Sequence, residues 1–166
     1  MPARRILDNV EHLAVIETVR DAVTSRLAPQ VAEIEEAGAF PGDAFRTLGE
    51  IGVLGMAYPE EYGGLGMPTQ LYLQTLEEIG AVWASVAVGV SVHTLSCFPI
   101  ATFGTREQQR RWLPDMLGGT QVGAYSLSEA HAGSDPAAMA MRARCEGDEY
   151  VLNGSKAWVT NGGFAD

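Results

Sequence analysis

Ala124-Tyr125-Ser126-Leu127-Ser128-Glu129-Ala130-His131-Ala132-Gly133-Ser134-Asp135, followed by Asn153-Gly154-Ser155-Lys156-Ala157-Trp158-Val159-Thr160-Asn161, decides the reading of this chain. From Gln121 the hydrophobic period changes from helical to alternating. Val122 to Leu127 predicts a strand, on which Ser126 and Ser128 face one side. Met139 to Cys145, Glu149 to Leu152 and Ser155 to Thr160 predict a meander that carries Trp158 on a strand. Asn153-Gly154 between apolar runs is a strong hairpin signal, because a type I′ turn needs positive φ at both positions. With Ser155 it also forms a glycosylation sequon, which the turn explains better. Gly133-Ser134-Asp135 predicts a turn whose N–H groups and Ser134 hydroxyl can cradle a phosphate. An ordinary Asx or Gly turn has the same composition. Together the two segments suit a flat polar ring beside a phosphate-bearing group.

Upstream the chain reads as helices. Ile6, Val10, Leu13, Ile16, Val19, Val23 and Leu27 recur at three- and four-residue steps, the stripe of a core-facing helix. Pro29 is expected to kink or restart it. Val31 and Ile34 carry a short continuation, punctuated by Gly38 and Pro41. Phe45, Leu48 and Ile51 mark a further short helix. Tyr58 to Gly66 is a loop rich in breakers. Pro68 can open the next helix at its first turn, with Leu71, Leu76 and Ile79 on its face. Ala84 to Phe98 is apolar nearly all round, which predicts burial on every side. Thr105-Arg106-Glu107-Gln108 is a capping box for a helix through Trp112 to the Gly118-Gly119 region.

The net charge of −10 excludes a phosphate-neutralising nucleic-acid surface. A phosphate ligand held by backbone N–H groups stays compatible with it. Cys97 and Cys145 lack metal-ligand spacing and read as free thiols of a reducing compartment. Arg4 and Arg5 are followed by no apolar run, so no signal peptide is read. Ala81 to Val92, the longest apolar stretch, is too short for a bilayer span. These features predict a cytoplasmic protein. His12, His93 and His131 are scattered, which argues against a metal site. His131 beside Glu129 and Ser128 lacks the G-x-S-x-G elbow of a triad. Gly63-Gly64-Leu65-Gly66 follows no strand and is no dinucleotide fingerprint.

The joint pattern resembles the acyl-CoA dehydrogenase family over about residues 10–166. Ser126-Leu127-Ser128-Glu129 with Gly133-Ser134-Asp135 is similar to its first flavin segment. Trp158-Val159-Thr160-Asn161 is similar to its second. Tyr58-Pro59-Glu60-Glu61-Tyr62-Gly63-Gly64, Gly104 to Gln108 and Trp112-Leu113-Pro114 follow its helical domain in order. Ala130 and His131 stand where the family usually has Pro. The resemblance implies a mainly α chain with a partial β-domain (α+β). Residues 1–119 would form the N-terminal helical domain and 120–166 the first strands of an antiparallel β-domain. It implies FAD as cofactor, with main-chain groups of Tyr125 and Leu127 and the Ser128 hydroxyl on the flavin's polar edge. Ser126 and Val159 would lie along the ring, and Trp158 on its far side. Thr160 would reach the N5 region. Gly133 and Ser134 would meet the pyrophosphate, Ser134 also the substrate's pantetheine arm. Val88, Ser91 and Leu95, with Val92, share a helix face that by position resembles the acyl-chain cavity; ordinary bundle core is the competing reading.

The implied reaction is α,β-dehydrogenation of an acyl-CoA thioester, with hydride transfer to the flavin and a carboxylate removing the α-proton. The implied acceptor is an electron-transfer flavoprotein, and the complete protein would be a homotetramer or homodimer. The family's base is a Glu of a C-terminal helical domain that the sequence does not contain. The open-edged sheet reads as unfinished. The chain is therefore expected to be a fragment, inactive alone. Two further readings stay open: a flavin monooxygenase or oxidase of the same fold, and a non-catalytic fragment that pairs its sheet edge with another chain.

Overall fold

Asn9 opens the first helix, its side chain accepting the Glu11 N–H at 2.8 Å, in a computed structural model that describes residues 9–166. Ile6, Arg4 and Arg5 lie outside the described residues. Helix α1 spans Val10–Ala22. Its stripe turns inward only from Ile16. Val10 is 79% exposed and Leu13 is exposed too, against expectation, whereas Ile16, Val19, Val23 and Leu27 are buried. Pro29 does not break the chain's helical course. It has no N–H to offer the preceding turn. The backbone widens instead into a π-turn over Val23–Leu27, in which the Ala28 N–H reaches back to the Val23 carbonyl. It then tightens to a 3-10 turn over Ala28–Gln30 and continues as α2, Val31–Ala37.

Helices α3 (Gly42–Glu50), α4 (Thr69–Val82), α5 (Ala84–Phe103) and α6 (Arg106–Leu117) complete the bundle. Pro68 caps α4, as its missing N–H allows. The capping box on α6 forms, with Gln108 N–H on the Thr105 hydroxyl at 3.2 Å and Thr105 N–H on the Gln108 side chain at 2.8 Å. The core joins α1, α3, α4 and α5 through Ile16, Phe45, Leu48, Leu71, Ile79 and Val90. A smaller cluster of Tyr58, Cys97, Leu113 and Leu117 ties α6 to it. Arg20 donates twice to the buried Glu78, at 2.9 and 3.0 Å, which fixes α1 against α4.

Helix α5 is not buried all round. Val86, Gly89, Val90, His93 and Cys97 face the core, while Val88, Leu95, Phe98 and Phe103 are exposed. A sequence apolar on every side cannot tell which side its neighbours will cover. The helix also runs past Pro99 to 20 residues, so by length and composition it is long enough to cross a membrane. A bundle's core helix passes the same test, and this one packs against α3, α4 and α6.

His93 of α5 joins the bundle to the segment beyond it. Its Nδ1 accepts the Gly123 N–H at 2.8 Å, and its Nε2 lies 2.9 Å from the Met116 carbonyl. A backbone N–H only donates, so Nδ1 carries no proton and Nε2–H donates to Met116. His93 is fully buried.

Beyond Gly123 the chain departs from the expected meander. Residues 124–128 run without a ladder partner, so the strand over Val122 to Leu127 is not formed. One antiparallel hairpin forms, β1 (Arg142–Glu146) with β2 (Glu149–Asn153), with Cys145 opposite Tyr150. Its turn is Gly147-Asp148, with Gly147 at φ 65°, and not Asn153-Gly154. Asn153 is instead the last paired residue, opposite Arg142. Ser155 to Thr160 is not a strand. Its backbone contact with the first segment is Ala157 N–H on the Ser128 carbonyl at 2.9 Å. Trp158 and Asn161 then take positive φ, 59° and 64°, which no ladder tolerates.

Burial pushes the His93 pKa below its ordinary value of 6.5. A depressed pKa means that the neutral form is the one folding selects. Stability is therefore full above about pH 6.5 and falls as pH drops below it, by at most about 1.4 kcal/mol per pH unit. Denaturant midpoints across this window should fall for the wild type and fall less for His93→Asn. Parallel profiles would refute the role given to His93.

Candidate functional site

The two predicted segments are held together by side chains, not by a sheet. Glu129 is buried, and its carboxylate accepts three donors: Ala140 N–H at 2.7 Å, Met141 N–H at 3.0 Å and the Lys156 ammonium at 2.9 Å. Lys156 also donates to the Leu127 carbonyl at 2.8 Å. His131 Nε2 stands 3.5 Å from the second carboxylate oxygen. Lys156, with the backbone N–H groups of Ala140 and Met141, pulls the Glu129 pKa down to about 2. This carboxylate is therefore a structural anion and a poor general base near neutral pH.

A second pin lies at Asn161. Its side-chain amide donates to the carbonyls of Gly89, at 3.2 Å, and Gly123, at 3.1 Å. Gly123 thus gives its N–H to His93 and its carbonyl to Asn161. It has no room for a side chain: a Cβ there would stand 1.9 Å from the Ser96 hydroxyl and 2.9 Å from Met116 Cε. Val159 and Asn161 line a cavity of about 420 Å³ together with Phe40, Phe45, Trp83 and Phe164. At its rim the Glu35 carboxylate accepts from Ser85 at 2.5 Å and the Trp83 indole at 2.6 Å, which lowers its pKa.

Tyr125, Leu127 and Ser128 are half-buried and Ser126 is exposed. Among the described residues, the N–H groups of Tyr125, Ser126, Leu127 and Ser128 find no hydrogen-bond partner. Gly133 and Ser134 are exposed, in the turn after the Glu129–Ala132 bridge, and their N–H groups are equally open. Val159 and Thr160 are half-buried. Trp158 is 94% exposed. The Ser128–Ala157 bond brings the end of the first segment beside the residue that precedes Trp158. Val88 and Leu95 are exposed on α5 and Ser91 is half-buried, with the Ser91 hydroxyl on the Val88 carbonyl at 2.8 Å. A run of open amides beside an exposed indole, followed by an open Gly-Ser turn, fits a ring with a polar edge and a phosphate tail.

Sequence reasoning missed the roles of Lys156, His93 and Asn161. For Asn161 a signal existed, since Asn is a residue that adopts the left-handed conformation. For Lys156 the signal was its being the only lysine in the sequence. Among the described residues, no group of three His, Cys, Asp or Glu side chains could hold a metal ion.

The family model of the acyl-CoA dehydrogenase N-terminal domain matches residues 9–120, and that of the middle domain matches residues 124–166. A probable acyl-CoA dehydrogenase of Bacillus subtilis is 37% identical over 156 residues, 93% of this chain and 41% of that protein. The human mitochondrial short-chain specific acyl-CoA dehydrogenase is 39% identical over 151 residues, 90% of this chain and 37% of that protein. A glutaryl-CoA dehydrogenase from Mycobacterium smegmatis, solved in complex with FADH2, superposes with a TM-score of 0.90 at 36% identity, over 95% of this chain and 41% of that one. The chain therefore spans well under half the length of these relatives.

Gly123→Ala tests the junction at which the His93 and Asn161 contacts meet. Overpacking of this kind costs about 1–3 kcal/mol. The expected result is a lower denaturant midpoint at unchanged slope; a wild-type midpoint would contradict the close approach of Gly123 to Ser96.

Proposed function

Since the chain belongs to the acyl-CoA dehydrogenase family, we propose that it forms the helical domain (1–119) and the start of the β-domain (120–166) of an FAD-dependent acyl-CoA dehydrogenase. The observation that carries this reading is the run of open N–H groups from Tyr125 to Ser128, held beside the second segment by Lys156 and Glu129. Main-chain groups of Tyr125 and Leu127 and the Ser128 hydroxyl bond the flavin's polar edge, with Ser126 and Val159 alongside. Gly133 and Ser134 hold the pyrophosphate, and Ser134 also meets the pantetheine arm. Trp158 covers the ring's far side, which accounts for so large an apolar side chain standing in solvent. The outward face of α5, with Val88, Ser91 and Leu95, lines the path of the acyl chain.

The chemistry the flavin supplies when bound is acceptance of a hydride from the β-carbon of an acyl-CoA thioester. The residues of this chain bind, orient and polarise. Thr160 places its hydroxyl where charge grows during the transfer, and a fixed donor there is worth more to the transition state than to the ground state. Glu129 does not take the α-proton, because its carboxylate is committed to three donors. The family's base, a Glu of the C-terminal helical domain, has no counterpart in residues 9–166. An electron-transfer flavoprotein serves as acceptor, the complete protein is a homotetramer or homodimer, and the location is cytoplasmic.

The test uses the full-length chain with FAD and a series of acyl-CoA thioesters under anaerobic conditions. Bound flavin should bleach on addition of a thioester. Thr160→Ala should slow that reduction about 10²-fold with little change in thioester affinity. Residues 1–166 alone should give no acyl-CoA-dependent dye reduction. Full-length protein that binds no FAD would end this reading.

A further inference from the structure

Lys156 is the one lysine of the chain; every other basic side chain that carries a fixed charge is Arg. It is also mostly buried, 17% exposed, against a carboxylate that is 4% exposed. Its ammonium has three neighbours for three donors: the Leu127 carbonyl at 2.8 Å, Glu129 Oε1 at 2.9 Å and Met139 Sδ at 3.3 Å. A compact ammonium with three diverging donors suits this arrangement. The planar fork of Arg does not.

The contact with Leu127 reaches further than the pin itself. The Leu127 oxygen and the Ser128 N–H belong to one peptide unit. A cation on the oxygen draws electron density through that unit and makes the N–H a stronger donor. The Ser128 carbonyl, on the next unit, takes the Ala157 N–H at 2.9 Å, which anchors the adjoining peptide, while the Lys156 contact at Leu127 acts in the plane of the Ser128 N–H itself. Glu129 keeps the ammonium from swinging into solvent. The two N–H groups of Ala140 and Met141 in turn keep Glu129 ionised and in place.

We propose, resting on the flavin reading above, that Lys156 is a positioning residue: it fixes and polarises the Leu127–Ser128 peptide so that the Ser128 N–H presents a strengthened donor to the cofactor's polar edge. Reduction adds negative charge to the ring, so a strengthened donor favours the reduced form over the oxidised one. Lys156 therefore acts on the cofactor's potential as well as on its affinity.

The experiment compares full-length wild type with Lys156→Met and Lys156→Gln, reading FAD affinity, the midpoint potential of the bound flavin and helix content. Lys156→Met should keep the wild-type helix content, weaken FAD binding about tenfold and move the potential to more negative values. Lys156→Gln keeps a donor over Leu127 but no charge. It should recover part of the affinity and keep the lowered potential. Should Lys156→Met fail to fold, Lys156→Gln carries the same reading. A wild-type potential in either folded variant overturns the proposal, even where affinity falls, because a purely structural pin moves affinity alone. Wild-type protein that binds no FAD removes the flavin reading and this one together, an outcome distinct from any result on the variants.

Discussion

The hydrogen bond from the Gly123 N–H to His93 Nδ1 is the point on which the arrangement turns. Before it lies a helical bundle with its own core. After it lies a stretch with few apolar contacts of its own. The bond has to be buried, because an exposed one would exchange freely with water and fix nothing. Burial requires that Gly123 approach α5 within the space left by Ser96 and Met116, which only a residue without a Cβ achieves. It also requires the imidazole to be neutral, with its other nitrogen satisfied by Met116 at the end of α6. One side chain thereby fixes the end of one helix and the start of the next segment.

From Gly123 onward, side chains take the place that a sheet ordinarily fills. A ladder commits the backbone donors and acceptors of each strand to its neighbour. The segment over 124–128 keeps its N–H groups open because its position is set from elsewhere, by Lys156 on the Leu127 carbonyl and by Ala157 on the Ser128 carbonyl. Both contacts use carbonyls. The donors are left for a ligand, and this division is what makes the segment a candidate binding edge. The hairpin β1–β2 is mostly exposed, and a two-stranded ribbon alone is marginal in water. Glu129 steadies it by accepting from Ala140 and Met141 just ahead of β1.

Much of the helical part was legible in the sequence because its signals are local. The Thr105–Gln108 capping box, Pro68 ahead of α4 and the stripe from Ile16 to Leu27 each act within one or two turns. Legibility ended where competing signals had equal local merit. Asn153-Gly154 and Gly147-Asp148 are both good turn dipeptides, and the choice between them rests on pairing of Arg142 with Asn153, which no dipeptide encodes. Pro29 reads as a break, yet a widened turn absorbs its missing donor at small cost. On α5, uniform apolarity removes the phase that would separate the core face from the outward one. The segments of the candidate site were visible as composition. The Glu129–Lys156 and His93–Gly123 contacts join residues far apart in sequence, and periodicity carries no information about such pairs.

The stretch between the two pins explains a conformation that neither end would adopt alone. Lys156 is anchored at Leu127 and Glu129, and Asn161 at Gly89 and Gly123. The short span between them must change direction, and it does so with positive φ at Trp158 and at Asn161. Each such residue costs about 1–2 kcal/mol relative to the ordinary helical or extended regions. Asn161 recovers this through its two carbonyl contacts. Trp158 has no comparable partner among the described residues, and its indole stands almost wholly in solvent. Strain without local compensation persists only where both flanks are fixed, so the conformation at Trp158 is a consequence of the pins. The direction of the indole is thus governed at Lys156 and Asn161, and whatever flat surface packs against Trp158 meets a side chain whose placement was decided on either side of it.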